Sequence, residues 1–94
     1  MILGYKDRKT ERFANGEFIA PFQGFEKQAA KRLSILNAAP SLNTLKALTS
    51  NRLETLRGKR SGQFSIRINS QWRICFRWPG DSPGPFDVEI VDYH

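Results

Sequence analysis

The stretch QFSIRINSQWRICFRW, residues 63–78, decides how this chain folds. Phe64, Ile66 and Ile68 alternate with Ser65, Arg67 and Asn69; Trp72, Ile74, Phe76 and Trp78 alternate with Arg73, Cys75 and Arg77. A period of two sends successive side chains to opposite faces, so each half reads as a strand with one apolar side. The two apolar sides must coincide, and that requirement fixes the register. With Asn69-Ser70-Gln71 as a three-residue loop, Ile68 opposes Trp72, Ile66 opposes Ile74 and Phe64 opposes Phe76. A two-residue loop sets Asn69 or Ser70 against the wrong face. The same register puts Arg67 across from Arg73 and Gln63 across from Arg77.

Like charges directly across a strand pair cost up to about 1 kcal/mol. Either both guanidinium groups extend into water and splay apart, or an anion sits between them. A guanidinium matches phosphate oxygens as a bidentate fork. Ser65, Asn69 and Gln71 are the polar neighbours a nucleic-acid surface would add.

Downstream, the Pro- and Gly-rich loop PGDSPGP (79–85) leads into FDVEIVDYH (86–94), a third strand of an antiparallel meander. Returning towards the 69–71 turn, it carries Asp92, Tyr93 and His94 level with the arginine pair. Upstream, RLETL (52–56) is a candidate short strand, and GKRSGQ (58–63) a basic turn bounded by glycine. The N-terminal half is helical. Phe25, Ala29, Leu33 and Leu36 share one face of a helix over 25–39 that Pro40 ends, and Leu42, Leu45 and Leu48 continue a turn or two as core. Asp7 is placed to cap a short helix through DRKTERF, Gly16 to stop it, and Pro21 and Gly24 interrupt EFIAPFQG. Met1-Ile2-Leu3 is expected as an edge strand. Helices first and sheet second is an α+β order: N-terminal helices packed on a small, largely antiparallel twisted sheet that ends at the C-terminus. One domain over 1–94 accommodates it.

Ninety-four residues suit a single core, with 39% apolar and 12% aromatic residues to fill it. Fifteen Lys and Arg against nine Asp and Glu give +6 at neutral pH, and a pI near 10.0. That balance favours a polyanionic partner. The single cysteine, Cys75, rules out an internal disulfide, and with one histidine it makes a structural zinc site implausible. No run approaches a membrane span, and MILGYKDRKT lacks the apolar core of a signal peptide, so a reducing cytoplasm is the expected home.

The run L-R-G-K-R-S-G-Q-F-S-I-R-I-N-S-Q-W-R-I-C-F-R-W, followed by D-V-E-I-V-D-Y-H, resembles the HigB or "killer protein" branch of the RelE/ParE toxin superfamily. The match is specific over residues 53–94; the N-terminal half agrees only in layout. The resemblance implies a toxin of a type II toxin–antitoxin system with a RelE-like fold. Such toxins are metal-independent endoribonucleases that cut messenger RNA, generally on the ribosome, and need no cofactor. A HigA-like helix-turn-helix antitoxin neutralises them, and operator DNA is met only through that antitoxin. Carried onto this sequence, Arg67 and Arg73 bind the scissile phosphate and His94 moves a proton. Tyr93 and Asp92 stack on a base, position the 2′-OH or orient the imidazole. Asn69 and Gln71 hold RNA, with Arg57, Lys59 and Arg60 as further phosphate contacts. Some relatives carry a histidine or lysine upstream of the basic turn; here Glu54 and Arg57 stand there, so acid and base duties cannot both rest on imidazole.

Plainer roles compete for each residue. Trp72 and Trp78 fall on the apolar face and are expected in the core. Cys75 is expected as a passive small residue. Tyr93 can merely cover the sheet, and the basic turn can be solvated. Two other functions fit the same fold: a toxin that poisons a protein such as DNA gyrase, and a non-catalytic RNA-binding module.

Overall fold

In the computed structural model, which describes residues 1–93, the 63–78 stretch forms a hairpin in the expected register. Strands β2 (Phe64–Arg67) and β3 (Trp72–Arg77) pair antiparallel, with Phe64 opposite Phe76, Ile66 opposite Ile74 and Arg67 opposite Arg73. The three-residue loop closes because the Asn69 side-chain oxygen accepts from the backbone N–H of Gln71 and of Trp72, both at 2.8 Å. Strand β1 (Glu54–Thr55) pairs with β2, and β4 (Phe86–Asp92) pairs with β3, giving an antiparallel sheet in the order β1-β2-β3-β4.

Helix α1 (Arg8–Ala14) starts where the Asp7 carboxylate accepts from the Thr10 N–H at 3.3 Å. It ends at Asn15 and Gly16, whose φ of +91° is one that glycine adopts without a Cβ clash. A 3₁₀ turn at Ala20–Phe25 leads into α2 (Glu26–Ala38), and α3 (Leu42–Ala47) follows Pro40 with Ser41 as its cap. The predicted stripe of α2 is buried: Ala29, Leu33 and Leu36, with Phe25 just before it, join Ile66, Ile74, Phe76, Val88 and Ile90 in one apolar cluster. Each large aliphatic or aromatic side chain so buried contributes about 1.5–3 kcal/mol. Trp72 stacks on Phe25 with centroids 4.7 Å apart, and Trp78 is buried with its indole N–H donated to the Ser82 carbonyl. Trp78 belongs to the core, and the half-buried Trp72 packs against it.

Two expectations need correction. Met1-Ile2-Leu3 is not a strand; instead residues 3–6 run parallel to residues 85–88, with Tyr5 bridged to Val88 and hydrogen bonds Leu3 N–H to Pro85 O, Val88 N–H to Gly4 O and Lys6 N–H to Val88 O. The approach is close enough that a Cβ on Gly84 would meet the Met1 carbonyl oxygen at 2.2 Å. Leu48 is not core either: α3 stops at Ala47, and Leu48 is 42% exposed where the chain bends into the next 3₁₀ turn. No helix among the described residues is long and apolar enough to cross a membrane.

Candidate active site

The helices cover one face of the sheet. The other carries Ser65 and Arg67 from β2, Arg73, Cys75 and Arg77 from β3, and Glu89 and Val91 from β4. Much of that polar face is nevertheless out of water, because long side chains lie along it. Ser65 and Cys75 are fully buried. Arg60 folds over from the basic turn, Nη1 donating to Glu89 at 2.8 Å and to Gln63 at 3.1 Å. Lys6 reaches the same Glu89 carboxylate at 3.5 Å, and Arg77 faces Asp87 at 3.5 Å.

The arginine pair meets neither simple expectation. Arg67 is half-buried and stands at the mouth of a cleft. Arg73 is only 8% exposed and lies along the sheet instead of extending into water. Its Nε donates to the Ser65 hydroxyl at 2.7 Å and Nη2 to the Arg52 carbonyl at 2.5 Å, while Nη1 is 3.8 Å from the Glu54 carboxylate. Folding one guanidinium back onto acceptors removes much of the repulsion that two opposed cations would otherwise feel.

The cleft, about 390 Å³, is lined by Arg52, Glu54, Arg67, Asn69, Ser70, Arg73 and Tyr93. Four expected residues therefore come together: Arg67, Arg73, Asn69 and Tyr93. Asn69 spends its carbonyl oxygen on the hairpin turn. Gln71 and Asp92 have a different task. Asp92 is paired with Trp72 in the β3–β4 register, so alternation carries it to the helix-side face, away from Arg73 and Tyr93. There its carboxylate accepts from Gln71 Nε2 at 3.0 Å, while the Gln71 carbonyl accepts from the Tyr93 N–H at 2.8 Å. Gln71 thus tethers the strand end that presents Tyr93. Arg57 and Lys59 are exposed around the 3₁₀ turn Gly58–Arg60, and neither lines the cleft. His94 lies outside the described residues.

Two lining residues were missed by reading the sequence for function, Arg52 and the Glu54 carboxylate in its site role. Arg52 has φ +43°, a left-handed turn that aims its carbonyl at Arg73. The sequence signal for Glu54 was its place on RLETL, beside the first hairpin strand.

Electrostatics separate the candidates. Burial pushes the Cys75 thiol from its ordinary 9.0 up to about 11, against the opposing pull of Arg60. It is a neutral packing group at physiological pH, as its passive role requires. Arg60 is held even more firmly protonated, mainly by its hydrogen bond to Glu89. Among the described residues, no three His, Cys, Asp or Glu side chains gather as metal ligands would.

Comparison with known proteins places the chain in a family and supports its fold. Residues 4–94 match the family model described as the RelE-like toxin of type II toxin–antitoxin system HigB. The chain is 35% identical over 81 residues to Toxin HigB-1 of Vibrio cholerae, covering 83% of this chain and 84% of that one. It is also 33% identical over 68 residues to an uncharacterized protein of Haemophilus influenzae, covering 72% and 67%. Among solved structures, a YoeB/ParE toxin from Agrobacterium tumefaciens superposes with a TM-score of 0.60 at 14% identity, covering 99% of this chain and 98% of that one. A heterotetrameric YoeB–YefM toxin–antitoxin complex from Staphylococcus aureus contains a chain with a TM-score of 0.57 at 19% identity, covering 100% and 95%. At such identities these structures speak for the fold.

Proposed function

From a chain that belongs to the HigB family of RelE-like type II toxins, we propose an endoribonuclease that cuts messenger RNA, on the ribosome, by attack of a ribose 2′-OH on the adjacent phosphate. The observation that carries this is the shared cleft of Arg67, Arg73, Glu54 and Tyr93. Its size suits one nucleotide unit. RNA brings its own nucleophile, so the protein has three tasks: take a proton from the 2′-OH, stabilise charge on the phosphate, and give a proton to the departing 5′-oxygen.

Arg67 binds the scissile phosphate directly. Arg73, anchored on Ser65 and the Arg52 carbonyl, adds a fixed positive charge behind it. Preorganised charge of this kind stabilises the transition state without having to reorient as the reaction proceeds. Glu54 is the described carboxylate of the cleft and takes the 2′-OH proton. Tyr93 packs against a base or positions the hydroxyl. His94, the one imidazole of the chain, serves as the acid, because imidazole titrates near neutral pH. Asp92 acts at a distance, through Gln71 and the strand end. Arg57, Lys59 and Arg60 form a basic flank for ribosomal RNA, Arg60 less so because Glu89 holds it.

The physiological partner is a HigA-like helix-turn-helix antitoxin, through which operator DNA is met; the fold neighbour solved as a YoeB–YefM toxin–antitoxin complex supports an antitoxin partner as such. Cytoplasmic action follows from a ribosomal target. The test is to map messenger 5′ ends by primer extension after induction of wild type, Arg67→Ala and His94→Ala. New in-frame ends should appear with wild type and fall about 100-fold or more in both variants. Growth arrest without new ends would point to a protein target such as gyrase and remove the nuclease assignment.

A further inference from the structure

A second cleft, about 310 Å³, opens beside the first; Arg52, Arg67 and Asn69 belong to the walls of both, and Arg32, Ser50 and Ile68 complete it. We propose that Arg32 and Arg52 form a second phosphate subsite, holding the phosphodiester next to the scissile one on a single-stranded RNA. This rests on the nuclease reading for what lies in the first cleft, and it extends the site to a residue of α2 far from the hairpin in sequence.

Arg32 is built in. Its Nη1 donates to the Asn51 side-chain oxygen at 2.9 Å and to the Ser50 hydroxyl at 3.2 Å. Asn51 is fully buried, and its own amide donates to the Leu45 carbonyl at 3.1 Å. A guanidinium aimed by a buried amide loses less rotamer freedom on binding than a loose surface cation. Both bonds use one nitrogen of a group that carries five N–H donors, so the donors on Nε and Nη2 have no partner among the described residues, and Arg32 lines the cleft.

Arg52 is informative for a different reason. A non-glycine residue at φ +43° costs roughly 1 kcal/mol. Its structural service, a carbonyl offered to Arg73, needs only backbone. Glycine would supply that carbonyl without strain; what arginine adds is a cation in the wall of both clefts. Charge pairing points the same way. Arg60, Arg73 and Arg77 each face a carboxylate within 4.0 Å, whereas among the described residues Arg32, Arg52 and Arg67 do not. Three cations with no carboxylate within 4.0 Å among the described residues, along two joined hollows, suit a ligand that repeats its negative charge at every unit.

The experiment titrates the whole protein, by NMR at low salt, with 2′-O-methyl RNA that cannot be cleaved. A dinucleotide with one phosphodiester is compared with trinucleotides extended on the 5′ or the 3′ side. Wild type should bind one of the two trinucleotides about five- to ten-fold more tightly than the dinucleotide. Arg32→Gln should abolish that gain and leave dinucleotide binding unchanged. Arg52→Gly should weaken both lengths while keeping or raising thermal stability, which guards against a variant that merely unfolds. Equal affinity of wild type for all three RNAs, an Arg32→Gln effect on both lengths alike, or no binding at all would overturn the subsite. If the length dependence holds but no cleavage is seen in cells, the nuclease assignment fails and the subsite stands as an RNA-binding track.

Discussion

Arg67 and Arg73 stand opposite each other in one hairpin, yet they live in different surroundings. Arg67 is half-buried at the mouth of the cleft, while Arg73 is tied down on Ser65 and the Arg52 carbonyl and hidden beneath it. The two faces of the sheet repeat this contrast on a larger scale. Towards the helices, shape and apolar contact hold everything; on the other side, guanidinium and carboxylate groups form the cover. Register alone places two residues together, but burial decides which is framework and which is free to meet a ligand.

The contrast between the faces breaks most visibly in stability. Phe76→Ala on the helix side should cost about 3–5 kcal/mol in urea unfolding, because Phe76 is fully buried in the shared apolar cluster. A loss below about 1 kcal/mol would mean the helices are not the main support. Within the arginine pair, Arg73→Ala should cost about 2 kcal/mol, leaving Ser65 and a carbonyl short of a buried partner. Arg67→Ala should stay within about 0.5 kcal/mol of wild type while losing cleavage. Equal stability losses would erase the distinction between framework and ligand contact.

Cys75 sharpens the comparison through pH. Its folded pKa of about 11 lies above the ordinary 9.0, so the folded state keeps a proton that the unfolded chain gives up. Its contribution is full below about pH 9 and is lost as pH rises towards 11, about 3 kcal/mol at most. Cys75→Ala should flatten that decline, leaving the part due to Tyr5, which burial also raises; an unchanged decline would clear the thiol of responsibility. The smallest effect is expected at the strand end. Asp92 lies on the opposite face of the sheet from Arg73 and Tyr93, so Asp92→Asn should lower cleavage only a few-fold, and Tyr93→Ala should lower it much further. The reverse order would return Asp92 to the cleft.

The hairpin, its three-residue loop and the stripe of α2 were legible because periodicity is a local property and apolar faces must meet. The facing of Asp92 was misread when it was grouped with the arginine pair, although carrying the alternation of Val88 and Ile90 two residues further puts it on the apolar side. What hid the rest was distance along the chain. Arg32 sits on a helix, and Arg52 in a left-handed turn with no glycine to mark it; nothing local announces that either will reach Arg67. The folding back of Arg73 depended on a carbonyl 21 residues away. The basic turn looked like a loose solvated loop, and only the tertiary fold shows Arg60 locked onto Glu89.

The outer side of β4 is already occupied. Residues 3–6 take its first half, and the Thr10 hydroxyl accepts from the Ile90 N–H at 3.0 Å, bridging 80 residues of sequence. At the far margin β1 is two residues long. Each border therefore offers only a short run of unpaired backbone to a foreign chain, which discourages fibril-like stacking. That shifts the burden of recognising a protein partner from main-chain pairing towards side chains.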